Sequence, residues 1–500
     1  MNVKVLQPVG HWALIALAGL FILSCKKDDP EPKPEPEPVD RTADQLIKDD
    51  IYKYYKLYSL WDTSIPDYTE NPAEFTDKYR SADDVLTALK KLTPVHAGYP
   101  NGVLDRFSFM EGINGYNTGA TARNGLKMDN NDGYGIYVSL GTADEKTAQP
   151  VIYFVEGGSP AEKGGFKRSD VITAVNDETD YSVDITCTST GCNVNDQTAL
   201  NKMMDRLDAA LDAGTLKLQV KHQDGKVLTK SLTYSNYTID PIYKDTVYLN
   251  TGNNVGYLAL SSFEEIENNN LNQQQMDAVF KKFEDAQIQS LIVDLRYNGG
   301  GYVDASAYVA DKIGGSKTRG KLMLSYEVNA YIKKTPSVNK MFQDTKFTGL
   351  SALNLNKVYF LVSDKTASAA EMLINVLKPH LSVQIIASET RTFGKPVGFF
   401  EQVVQDKVSF WPVSFLLKNS AGFSDYWDGL APDKPNIEDY IFVDVGDKRE
   451  TMLATALNDA APSSSTRAAL QSVSSKMRHR LGAGTVNAPR DRGMIKKFKE

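Results

Sequence analysis

The hydrophobic pattern changes period twice along this 500-residue chain. Over 44–61 the stretch DQLIKDDIYKYYKLYSLW spaces Leu46, Ile47, Tyr54, Leu57 and Trp61 near the helical repeat, which predicts an amphipathic helix. A second helix is expected over 81–92, with Asp83 and Asp84 suited to its first turn. A turn at Pro100-Asn101-Gly102 leads into DRFSFM (105–110), whose aromatic residues read as core packing. The pattern then shortens to strands: YGIYV (134–138) and VIYFV (151–155), set between glycine-rich turns. A helix over 197–212 and the strand LKLQVKH (216–222) follow.

From about residue 242 strand and helix alternate. Strands are predicted at 254–263, 290–301, 357–363 and 383–387, with helices at 273–283 and 369–378. That alternation predicts a sheet with helices on its faces and ligand-binding loops at the strand ends. Before all of this, an apolar run from Trp12 to Leu23 follows Lys4 and ends in ILSC (22–25). It is too short to span a bilayer and has the length of a signal-peptide core. PEPKPEPEP (30–38) cannot form a core and predicts an extended tether. From Ser463 the chain turns Ser-rich and then basic, with Arg478, Arg480, Arg490, Arg492, Lys496, Lys497 and Lys499, and reads as a flexible tail.

A chain of this length suggests about two to four domains. With 41% hydrophobic and 10% aromatic residues it has the makings of folded cores, and a net charge of −7 supplies no global basic field for nucleic acid. His96, His222, His380 and His479 stand outside the leader, none in a metal-binding pair, so neither metal nor other cofactor is expected. Cys187 and Cys192 bracket the short run CTSTGC; an exported chain meets an oxidising compartment, so a loop-closing disulfide is expected.

The candidate chemistry lies in the α/β region. Ser368 sits in TASAAE (366–371), flanked by small residues at a strand-to-helix junction, a common setting for a nucleophile. Lys395 closes TFGK (392–395), and a lysine held under a glycine turn can act as base without histidine. That role calls for burial among apolar neighbours such as Phe393 and Phe399. Lys365 is the rival base, placed on an exposed turn. His380 reads as a helix-end residue, and Glu371 and Glu389 as structural carboxylates that satisfy local backbone.

DLRYNGGG (294–301), TASAAEM (366–372), TFGKP (392–396) and YWDGLAPD (426–433) occur in that order, and together they resemble the carboxy-terminal processing, or tail-specific, serine peptidases over roughly residues 131–440. The resemblance implies a multidomain α/β protein: a helical N-terminal region, a PDZ-like β-rich domain and a crotonase/ClpP-like catalytic domain. It implies Ser368 as nucleophile, Lys395 as general base, and the amide of Ala369 with Gly300 or Gly301 as oxyanion hole. GSPAEKGGFKRSDVITAVN (158–176) is similar to the PDZ signature, with Ser169 where a glycine is usual. Such domains take an extended peptide as an added strand, and the loop Tyr134-Gly135-Ile136 would receive a terminal carboxylate. ILSC resembles a bacterial lipobox, which implies acylation at Cys25, and KKDD (26–29) resembles a surface-export signal of Bacteroidetes lipoproteins. The chain departs from the family at Phe399, where a glutamine often follows the lysine by four positions, although Gln402 lies close. Pro379 or His380 stands where some members carry an aspartate. The partner that orients Lys395 is therefore unassigned.

The expected organisation is a leader (1–24), an acylated cysteine with its linker (25–42), a helical domain (43–130), the PDZ-like domain (131–240), the catalytic domain (241–460) and a basic flexible tail (461–500). The expected function is a lipid-anchored envelope endopeptidase on the outer membrane, displayed at the surface or facing the periplasm, that cleaves unfolded or C-terminally exposed polypeptides. The alternative is a non-catalytic peptide-binding surface lipoprotein built on the same scaffold.

Overall fold

A computed structural model of the chain describes residues 40–119, 130–188, 191–250, 252–462, 479–486 and 492–497. The leader, Cys25 and the Pro/Glu tether lie outside the described residues. Among the described residues, no helix is long and apolar enough to cross a membrane.

The part of the chain from Ile242 is organised by a five-stranded sheet. Its order is Ile242–Tyr248, Val255–Leu260, Ser290–Asp294, Lys357–Val362 and Val383–Ala387; the first pair is antiparallel and the others parallel. The middle strands are near-continuous apolar runs because both faces are covered. Helices Leu271–Asp285, Val303–Gly314 and Ala369–Leu377 contribute to the core on one face, and Thr451–Ala460 to that on the other. The glycine loop, the serine turn and the lysine turn follow the carboxyl ends of three adjacent parallel strands, where open α/β sheets form their clefts.

Residues 131–240 form most of a second sheet in which Ile136–Thr142, Thr147–Val155, Val171–Val175, Thr215–Lys221 and Val227–Thr233 are neighbours, with helix Gln197–Asp212 packed into the same core. Cys187 and Cys192 are joined by a disulfide across the hairpin of Val183–Thr188 with Gly191–Val194. Ser169 adopts φ +73°, a left-handed conformation that explains why glycine is usual there.

Two expectations about organisation need correction. The N-terminal helices Ala43–Tyr58 and Ala82–Lys90, the latter opened by a Ser81–Asp84 capping box, do not form a separate domain. Their apolar faces share one core with Met110, Val404, Val408 and Phe410, and strand Phe109–Gly112 pairs antiparallel with Val408–Trp411. The described residues from Ala43 onward make one compact unit. Nor is the basic tail structureless where it is described: His479–Val486 adds antiparallel to Ile136–Thr142, and Gly493–Ile495 lies parallel to Gly300–Tyr302. Net basic composition hid short strands whose partners are distant in sequence.

Candidate active site

Ser368 is the residue before helix Ala369–Leu377, and its backbone is held at φ 60°, ψ −114°. A non-glycine residue in such a conformation costs about 1–3 kcal/mol and persists only where its surroundings over-determine it. Here the surroundings are explicit. The Ala367 N–H donates to the Asn298 carbonyl, the Phe393 N–H to the Thr366 carbonyl, and the Thr366 hydroxyl to the Leu295 carbonyl. The Ser368 side chain is buried, and its Oγ has no hydrogen-bond partner among the described residues. A buried hydroxyl left without a partner is a costly arrangement that structural positions avoid.

Lys395 ends a turn that the rest of the chain grips closely. Gly394, at φ +88°, leaves no room for a Cβ against the Trp427 carbonyl. Thr392 exchanges two bonds with Leu430, its N–H donating to the carbonyl and its hydroxyl oxygen accepting from the amide. The lysine is buried, with Nζ 4.7 Å from the ring centroid of Phe399 and 5.2 Å from that of Phe107. Phe399, standing where the family often has a glutamine, thus presents its ring face to Lys395 Nζ. Phe107 arrives from the N-terminal region. Beside it the Arg106 guanidinium stacks on Tyr99, Phe107 and Phe393 and donates to the Phe393 and Gly394 carbonyls.

Glu371 binds the two halves together. One turn into the serine helix, its fully buried carboxylate accepts from the amides of Ser368 (2.9 Å), Gly394 (2.8 Å) and Lys395 (2.8 Å) and from the Thr392 hydroxyl. Burial pushes this carboxyl up to about 7, against the pull of those four donors. Sequence reasoning read it as a structural carboxylate; the backbone it satisfies belongs to both Ser368 and Lys395.

The glycine loop lies against the serine. A Cβ on Gly300 would stand 3.0 Å from the Ser368 Cβ. The Gly300 amide donates to Asn298 Oδ1 at 2.9 Å, so it is engaged within its own loop. Gly301, at φ +137°, and the first helical amide, that of Ala369, are the other two expected oxyanion groups.

Other residues singled out in the sequence fall elsewhere. Lys365 pairs with Asp364 at an exposed turn. His380 meets the Leu322 carbonyl and Ser420, and Gln402 donates to the Glu401 carbonyl. Tyr134 donates to the Ala213 carbonyl, Gly135 accepts from the Glu156 amide, and Ile136 opens the strand that pairs with Thr147–Val155. Phe107 was missed as a site residue because its proximity to Lys395 is a long-range contact with no local signal.

Residues 254–413 match the profile of Peptidase family S41. That stretch contains the glycine loop, the serine turn and the lysine turn. Among curated proteins the chain is similar to a "Probable CtpA-like serine protease" of Staphylococcus haemolyticus (strain JCSC1435), 25% identical over 285 residues, covering 54% of this chain and 47% of that protein. A protein of the same name from Staphylococcus aureus (strain bovine RF122 / ET3-1) is 24% identical, covering 53% and 45%. The chain thus spans about half the length of the curated relatives it matches. Its fold is similar to a crystal structure of an S41 family protein from Bacteroides fragilis NCTC 9343, with a TM-score of 0.55 at 21% identity, covering 82% of this chain and 96% of that one. This agrees with the multidomain α/β class read from the sequence.

Proposed function

We propose that the chain is a serine endopeptidase with Ser368 as nucleophile and Lys395 as general base. The observation that carries this reading is the buried Ser368 Oγ, without a hydrogen-bond partner among the described residues, on a strained helix-entry residue tied through one carboxylate to the turn that carries a buried lysine. In the proposed reaction Oγ attacks the scissile carbonyl while its proton passes to Lys395 Nζ. The negative charge on the carbonyl oxygen is received by the amides of Ala369 and Gly301; a single such donor is typically worth about 2.7–4 kcal/mol. Collapse of the intermediate breaks the C–N bond, and the leaving amine takes the proton from Lys395. Water then attacks the acyl-enzyme, delivers its proton to the same lysine, and Ser368 is regenerated.

The substrate is a polypeptide in extended form, recruited by residues 131–240 acting as a PDZ-like module whose Tyr134–Ile136 loop receives a chain end. Acylated Cys25 would anchor the enzyme to the envelope membrane, with 26–39 as spacer at its outer face. Covalent labelling by a serine-reactive fluorophosphonate tests the mechanism. Label is expected at Ser368 and absent from Ser368→Ala, with Lys395→Ala labelling at least about a hundredfold more slowly. Intact protein that labels no better than Ser368→Ala defeats the reading. A mass shift of the anchored N-terminus that vanishes in Cys25→Ser tests the lipid.

A further inference from the structure

Residues 492–497 lie beside the glycine loop and Ser368. Residues Gly493–Ile495 lie in a slot between Gly300–Tyr302 on one side and Val397–Phe399 on the other, completing a six-stranded sheet. The Arg492 amide donates to the Gly299 carbonyl at 2.9 Å and the Lys496 amide to the Phe399 carbonyl at 3.0 Å. A Cβ on Gly300 would collide with the Gly493 carbonyl oxygen and stand 3.0 Å from Ser368 Cβ, so that carbonyl crosses the glycine loop beside the nucleophile. Met494 and Ile495 are buried in the same core as Ala369 and Ala370, and Ser368 has no solvent exposure.

The slot also matches the segment's charge. Arg492 is 3% exposed and is bound by two carboxylates that are themselves buried, Glu156 at 2.7 Å and Glu264 at 3.3 Å. Glu156 is held in place by Asn131 and the Tyr237 hydroxyl. Farther along, Lys496 pairs with Asp304 and Lys497 with Glu265. Upstream, His479–Val486 adds antiparallel to Ile136–Thr142, with Leu481 opposite Leu140 and buried in that core, and its end runs toward the Tyr134–Ile136 loop. One segment thus adds strands at both places where a peptide would be read.

We infer that this slot takes polypeptide strands that place a basic side chain between Glu156 and Glu264, and that residues 492–497 occupy it in cis as a substrate-like plug. The inference rests on the peptidase reading for the word substrate, but strand and pocket stand without it. Each pairing uses backbone groups any extended peptide carries, so the arginine pocket is what selects among them. Removing one partner of a buried charge pair costs enough to weaken binding at least tenfold. With the plug in place Ser368 is covered, so a substrate must displace it.

The full-length chain, its Arg492→Glu and Arg492→Lys variants, a fluorescent peptide of residues 479–497 and a fluorophosphonate probe form the test. Arg492→Glu is expected to label at Ser368 at least about tenfold faster than the natural chain, with Arg492→Lys close to the natural rate. The peptide should bind Arg492→Glu saturably and slow its labelling, and the same peptide carrying alanine for Arg492 should need at least about tenfold higher concentration. Equal labelling of the three chains, or a peptide whose arginine makes no difference, overturns the inference and leaves the peptidase reading intact. If no chain labels but the peptides keep their order, the peptidase reading falls and the pocket stands. Hydrogen exchange on the unaltered chain provides a readout independent of folding of the variants: the amides of 492–497 should be protected like those of 397–399, and complete exchange within seconds rejects the plug.

Discussion

At the scale of single residues, the position that decides the site is Glu371. Three backbone amides and a hydroxyl converge on it, and two of those amides belong to Ser368 and Lys395. Glu371→Gln replaces an acceptor of four donors by a group that is half donor. Each buried amide left without an acceptor costs about 1–3 kcal/mol, so the variant should unfold at clearly lower urea and lose fluorophosphonate labelling while Ser368 and Lys395 remain. The sign of the pH effect follows from the carboxyl's folded value of about 7, above its usual 4.5. A raised value means the folded state favours the protonated form, so the contribution is fully present below 4.5. It is lost as pH rises to 7, on the order of 3 kcal/mol. Activity should move the opposite way, rising through neutral pH, because the ionised carboxylate best accepts the donors that hold the two halves. Urea titrations at pH 5 and 8 check the first claim: natural chain and Glu371→Gln should differ in slope with pH. A parallel pH dependence in both would reject it. Ser169 and Ser368 show the same economy of local strain, each at a positive φ.

At the scale of elements, the segment from Tyr99 to Phe109 behaves as part of the candidate active site. Tyr99 donates to the Trp427 and Gly394 carbonyls, Arg106 caps the lysine turn, and Phe107 faces Lys395. Phe107→Leu keeps most of the apolar volume and removes the ring face. A change of that kind usually costs less than about 1.5 kcal/mol of stability. Turnover of a peptide substrate should nevertheless fall, with kcat reduced more than KM is raised, because the loss is in how Lys395 is held. A purely structural role predicts lost stability with kcat unchanged.

On the scale of the whole molecule, a buried ionic network joins the 131–240 sheet to the catalytic sheet. Asp439 accepts from Arg168, Arg296, Arg480 and the Tyr297 hydroxyl, and Arg296 also binds Asp294 and Glu450. Burial alone would raise the Asp439 carboxyl, but the three guanidinium groups hold it well below the usual carboxylate range. A depressed value contributes stability that is present above the unfolded value near 3.9 and is lost only as pH falls through the folded one. Asp439→Asn should therefore destabilise by about 3–5 kcal/mol at every pH from 5 to 8, since it leaves buried arginines short of a counter-charge. Calorimetry should show residues 131–240 and the catalytic sheet losing their joint transition. A single unchanged transition would show that the network does not couple them.

Much of this was legible in the chain itself. Apolar runs and helical repeats located Lys357–Val362, Val383–Ala387 and Ala369–Leu377 within a residue or two, because periodicity is local, whereas the strand begun at Ser290 stops at Asp294, before the glycine loop. The order glycine loop, serine turn, lysine turn placed the candidate residues at the ends of three strands, since a parallel sheet delivers successive loops to one edge. What only the tertiary structure decided is everything that depends on groups far apart in sequence. Glu371 meets the lysine turn, Phe107 meets Lys395, and Arg492 meets Glu156 and Glu264 across separations no hydrophobic pattern encodes. A basic tail reads as solvated until buried carboxylates are found to receive it. The sequence by itself determined which chemistry to look for, and the folded chain determined which residues hold it in place and which segment covers it.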